Sequence, residues 1–220
     1  MKFIQLSILA YATAAIAAVI SSVESRAVCT PQGSGGGSTE NGVVNGNCCT
    51  DVTVIFARGT AERGNVGASA GPPLFKALRS KIGANRVTVQ GVDYPADYAG
   101  FFAQGGTGGA TMASLVKKAR AQCPNTKVVV SGYSQGGQAI HNAFSKQGLS
   151  KSQVAAAVLF GDPQNGQKVG DLATADVFQD CHAGDRICES SGSFLITPAH
   201  TTYGQDAGIA AQFIVDRLGL

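Results

Sequence analysis

From residue 52 onward, apolar and polar positions divide the chain into short β-branched runs separated by stretches of helical spacing. Val52-Thr53-Val54-Ile55-Phe56-Ala57 is such a run, ended by Arg58-Gly59. Pro72 and Pro73 open a helix over 74–82 that Gly83 stops. A second strand is predicted over 87–92. A helix follows over 111–122, with Met112, Leu115, Val116 and Ala119 on one face. Val128-Val129-Val130 marks a buried strand within 127–131. A helix over 136–146, a strand over 154–160 and a closing helix over 205–218 complete the pattern. Strands without polar alternation, separated by helices, predict an α/β protein. Its mostly parallel central sheet is covered by helices on both faces, giving three layers. In such a sheet ligands bind at the carboxyl ends of the strands.

The first residues follow a different pattern. Lys2 precedes an apolar run over 3–20 whose polar members are Gln5, Ser7, Tyr11 and Thr13. A positive start, an apolar stretch and small residues at its end read as a secretory signal peptide over 1–20, with processing extending up to residue 27. A membrane anchor is the competing reading, since about 18 apolar residues can cross a bilayer. Residues 28–47 are rich in Gly, Ser, Asn and Thr and read as a flexible leader, which leaves 48–220 as the folded domain.

Composition narrows the chemistry. The length of 220 residues suits one domain. A charged fraction of 14% and a net charge of +3 without a Lys/Arg cluster give no footprint for nucleic acid. The six cysteines are Cys29, Cys48, Cys49, Cys123, Cys181 and Cys188, an even number that predicts three disulfides in an oxidising compartment. No C-x-x-C spacing or histidine pair supports zinc. Spacing favours only Cys181 with Cys188, a local clamp, and sends the neighbours Cys48 and Cys49 to different partners.

The strongest motif is Gly132-Tyr133-Ser134-Gln135-Gly136, a G-x-S-x-G directly after one predicted strand and directly before a helix. Glycines there allow a sharp turn that lifts a serine hydroxyl above the sheet. The helix start offers unpaired N–H groups, with that of Gln135 placed to bind an oxyanion. Such a serine needs a base, and the chain holds three histidines. His141 lies seven residues further along the helix, about 10 Å away from its mouth. His182 sits beside Cys181, inside the expected clamp. His200 precedes the last helix and fits the chain order Ser, then Asp, then His. Asp162, at the end of a strand, and Asp185, inside the clamped loop, are both candidates to orient it.

Four blocks resemble the cutinase family of secreted, mostly fungal serine esterases. They are Ala57-Arg58-Gly59-Thr60-Ala61-Glu62, the Gly132–Gly136 motif, the clamped Gly184-Asp185 loop, and Pro198-Ala199-His200 with Tyr203-Gly204. The resemblance implies an α/β-hydrolase-type sandwich and a triad of Ser134, Asp185 and His200. It implies oxyanion contacts from Thr60 and Gln135, and the pairs Cys49–Cys123 and Cys181–Cys188. Cys29–Cys48 is then an additional pair that ties down the leader. It also implies a lidless, extracellular enzyme that uses neither metal nor cofactor. Its substrates would be an insoluble polyester or small acyl esters. A monomer is expected, with no nucleic-acid partner and no membrane attachment once the signal is removed. Tyr98, Phe101, Leu195 and Ile196 are candidate walls for an acyl chain, with Phe102 and Phe194 beside them. Phe160-Gly161-Asp162-Pro163 also resembles a segment of acetylxylan esterases, which keeps short-acyl carbohydrate esters open. A secreted binding protein that retains an esterase scaffold is the alternative from outside enzymology.

Overall fold

The structure is a computed structural model that describes residues 37–46, 49–189 and 193–220. Five strands, β1 Val52–Ala57, β2 Val87–Gly91, β3 Lys127–Tyr133, β4 Ala156–Phe160 and β5 Val177–Asp180, form one sheet in the order β2-β1-β3-β4-β5. Every pairing between them is parallel. The helices are α1 Gly71–Ile82, α2 Tyr98–Phe102, α3 Gly108–Gln122, α4 Gln135–Gln147, α5 Arg186–Glu189 and α6 Ala207–Leu218. Among the described residues, no helix is long and apolar enough to cross a membrane.

The period-2 geometry of a strand explains why its apolar runs lack alternation. In β1, Val52, Val54 and Phe56 face the layer that holds α1 and α6, where they pack with Leu74, Phe75 and Ile214. Ile55 and Ala57 face the opposite layer and meet Met112, Val116 and Ile140 from α3 and α4. β3 divides in the same way, with Val129 on the first face and Val128 and Val130 on the second. Both faces are therefore dry, which makes this a three-layer sandwich of the α/β-hydrolase type.

Strand order sets where a site can form. The chain moves outward from β1 to β2, then returns to the other side of β1 for β3 and continues to β4 and β5. The reversal opens a crevice between the carboxyl ends of β1 and β3. The segments that carry Thr60 and Ser134 leave the sheet at those two ends.

The segment 37–46 departs from the expected flexible leader. Asn41 bridges Gln90 on the outer edge of β2, and Val43 is buried in the core beneath α3. Glu40 pairs with Arg79 of α1 at 2.8 Å. The polar composition of the segment hid these anchors, which together cover an edge strand that would otherwise expose unpaired backbone groups. The expected signal over 1–20 and the pair Cys29–Cys48 lie outside the described residues. Cys49 is bonded to Cys123, and Cys181 to Cys188.

Candidate active site

Ser134 stands between β3 and α4 with φ 54° and ψ −119°, a region that side-chain-bearing residues seldom occupy. Close packing holds it there. A Cβ on Gly136 would come within 2.0 Å of the Ala57 carbonyl oxygen, and one on Gly132 within 2.4 Å of the Gly136 backbone. The two motif glycines thus let the turn close against β1, while the Ser134 N–H donates to the Phe160 carbonyl at 2.8 Å.

Three side chains from separate loops converge on this turn. His200 Nε2 lies 2.9 Å from Ser134 Oγ, and His200 Nδ1 lies 2.8 Å from Asp185 Oδ2. The carboxylate can only accept, so Nδ1 carries the proton and the Nε2 lone pair faces the serine hydroxyl. Asp185 is fully buried and His200 is 2% exposed. The Ile187 N–H donates to Asp185 Oδ1, and the Tyr133 hydroxyl donates to the His200 carbonyl at 2.8 Å. Burial pushes the Tyr133 phenol well above the ordinary tyrosine range, so it remains a donor. Asp162, the other candidate acid, instead lies 2.8 Å from His141 Nε2 in a buried pair that joins α4 to the end of β4.

The loop after β1 is braced from two sides. Arg58 donates to the carbonyls of Glu62, Tyr94 and Pro95. The Glu62 carboxylate accepts from the N–H groups of Gly59, Ala68 and Ser69. These contacts set Thr60 opposite the start of α4, where its hydroxyl donates to Gln135 Oε1 at 3.0 Å. Gln135 Nε2 in turn donates to the Asp97 carbonyl just ahead of α2. The Gln135 side chain therefore ties the Thr60 loop to α2, a link that nothing in the sequence pattern signalled.

A cleft opens above Ser134 between α2 and the segment before His200. Tyr98, Phe101, Ile187, Phe194 and Ile196 line it. Leu195 departs from the expected wall, being 63% exposed and outside the lining. Its neighbours Phe194 and Ile196 are part of the lining. Phe194 also meets Phe102 edge to face at 5.9 Å, joining the two rims of the cleft. An apolar cleft over a serine and its base can seat an acyl chain with the ester carbonyl at the hydroxyl.

The family model described as Cutinase matches residues 48–218. A cutinase from Botryotinia fuckeliana is 48% identical over 182 residues, which cover 81% of this chain and 89% of that one. Among solved structures, Trichoderma reesei cutinase in complex with a C11Y4 phosphonate inhibitor is similar with a TM-score of 0.76. It is 41% identical, covering 83% of this chain and 81% of that one. An acetylxylan esterase is similar with a TM-score of 0.61 at 26% identity, covering 78% of this chain and all of that one.

Proposed function

The chain belongs to the cutinase family and is a carboxylic ester hydrolase; on that premise we propose that it is a secreted enzyme that cleaves cutin-type aliphatic polyesters and short-to-medium acyl esters through an acyl-enzyme. The observation that carries this reading is the buried chain of hydrogen bonds from Asp185 through His200 to Ser134, ending beneath an apolar cleft.

In this mechanism His200 Nε2 takes the proton of Ser134 as Oγ attacks the ester carbonyl. Asp185 holds the imidazole with its lone pair toward the serine and stabilises the imidazolium that forms. The turn geometry supplies the Gln135 N–H at the start of α4, and the braced loop supplies Thr60, for the negative charge that develops on the carbonyl oxygen. His200 then gives its proton to the leaving alcohol. Water, activated by the same imidazole, releases the acid from Ser134.

Two features support aliphatic esters as substrates. The lining of the cleft is mostly apolar, and its rim carries exposed Tyr98, Phe102 and Phe194 that can lie against a solid hydrophobic surface. The two observed disulfides, Cys49–Cys123 and Cys181–Cys188, suit an extracellular setting. The test is hydrolysis of acetyl, butyryl and longer p-nitrophenyl esters by the protein and by Ser134→Ala. Preference for butyryl or longer chains, abolished in the variant, is the expected result. Activity confined to acetyl esters would favour a carbohydrate acetyl esterase, in line with the acetylxylan esterase similarity. Equal, negligible rates in both proteins would remove the catalytic reading.

A further inference from the structure

We propose that Tyr203 is a positioning residue for Asp185, fixing which carboxylate oxygen serves His200 and how much negative charge that oxygen carries. The inference rests on the Ser134–His200–Asp185 reading above.

Tyr203 is the largest fully buried side chain among the described residues, and its ring packs with Phe160 and Tyr133. Its hydroxyl donates to Asp185 Oδ2 at 2.5 Å, the same oxygen that accepts from His200 Nδ1 at 2.8 Å. On its acceptor side the hydroxyl receives the His182 N–H at 3.1 Å. A hydroxyl that already accepts from an amide has its own proton left to place, and the carboxylate is the acceptor in front of it. Such O–H···O⁻ contacts are short and strong. Asp185 Oδ2 therefore divides its charge between two donors, while Oδ1 is taken by the Ile187 N–H. Because Asp185 and Tyr203 are both fully buried, neighbouring protein groups set this division.

The ring itself is held by a plate behind it. The His182 imidazole stacks on Tyr203 with centroids 4.1 Å apart and planes 26° apart. His182 Nδ1 lies 3.0 Å from Thr202 Oγ1 and 3.1 Å from the Ala199 carbonyl, and Nε2 lies 2.7 Å from Asp206 Oδ2. The Asp206 carboxylate can only accept, so Nε2 carries a proton and donates to it. Asp180 lies 3.9 Å from the same Nε2. The ionisable groups around the His200–Asp185 pair are thus Tyr203 with His182, Asp180 and Asp206 behind it, and Tyr133 on the far side of His200. A phenylalanine at 203 would fill the same core space, so packing alone does not call for the hydroxyl.

The test is Tyr203→Phe, with kcat/KM on p-nitrophenyl butyrate followed against pH. Without the phenol, Asp185 Oδ2 is more negative and holds the His200 proton to higher pH. The acid limb of the profile moves up by about half a pH unit, and turnover falls about threefold to tenfold. A fluorotyrosine at position 203 keeps the packing but makes the phenol a stronger donor, and it moves the same limb down. An acid limb unmoved in both proteins, or moved in the opposite directions, overturns the inference. Ser134→Ala run alongside separates the two readings. If that variant stays active, the triad reading fails; if it is dead while both limbs stay put, only the role of Tyr203 fails.

Discussion

Two buried histidine–aspartate pairs of this molecule stand in different surroundings. His141 and Asp162 are 2.8 Å apart, as are His200 and Asp185, and all four side chains are buried. The first pair joins α4 to the loop after β4. The second has Ser134 Oγ at its free nitrogen, held in a strained turn under an open cleft. A histidine hydrogen-bonded to a carboxylate thus joins a helix to a loop in one place and faces a serine hydroxyl in the other, where we propose that it acts as the base. What marks the second pair is the serine hydroxyl at its other ring nitrogen.

The largest effect expected from this contrast comes from the two aspartates. Asp185→Asn leaves the geometry but favours the wrong imidazole tautomer, and kcat falls about 10⁴-fold. Asp162→Asn leaves kcat within about threefold, yet costs about 2 kcal/mol in denaturant unfolding, because a buried hydrogen bond to a charged group is weakened. Ester kinetics and urea titrations on both variants check this. A large kinetic loss from Asp162→Asn would dissolve the distinction.

Next comes Thr60, which we propose as an oxyanion contact and whose hydroxyl donates to Gln135 Oε1. Thr60→Val keeps the shape, removes the hydroxyl and lowers kcat about 100-fold, with little change in melting temperature. Single-turnover kinetics would separate this loss from weaker binding.

The disulfides divide in the same way. Replacing Cys49 and Cys123 with serine opens a link spanning 74 residues and costs about 4 kcal/mol of stability, while the folded protein keeps its turnover. Replacing Cys181 and Cys188 opens a link of 7 residues, with a smaller stability cost. It frees the loop that carries Asp185, however, so turnover falls about tenfold. Paired calorimetry and kinetics on the two double variants would show the crossing.

The smallest effect concerns the third histidine. Burial alone would lower the pKa of His182, but its hydrogen bond to Asp206, the Ala199 carbonyl and the charges of Asp180 and Asp206 raise it overall above 6.5. Burial, helped by Asp206, likewise raises Asp180. For a raised histidine, the stabilising contribution is complete below the unfolded value and is lost as pH rises through the folded one. The melting-temperature advantage of the protein over His182→Gln is therefore largest near about pH 5.5 and shrinks toward about pH 9. An advantage that grows with pH would contradict the assignment.

Local signals in the sequence carried further than long-range ones. The run Val52–Ala57 and the turn at Ser134 were legible because buried β-branched runs and motif glycines report their own surroundings. β5 was not, because Val177-Phe178-Gln179-Asp180 is a four-residue, half-buried edge strand whose pairing with β4 lies outside any short window. α2 was missed too, as its five residues Tyr98–Phe102 are too few to show a helical period. Residue physics alone left Asp162 and Asp185 open, since only the folded chain assigns each a histidine. Leu195 was assigned to the wall because an apolar triplet in sequence does not reveal which members face the cleft.

The central claim, that Ser134 alone is activated by a histidine–aspartate pair, is tested most directly by covalent trapping. An alkyl p-nitrophenyl phosphonate mimics the tetrahedral intermediate and stays on the attacking oxygen. Mass spectrometry after inactivation should find one phosphonyl group per chain, on the peptide that carries Ser134, with activity lost in proportion to labelling. In His200→Ala no adduct should form, while in His141→Ala labelling should proceed at close to the parent rate. An adduct on another residue, or labelling lost with His141 and retained without His200, would contradict the account.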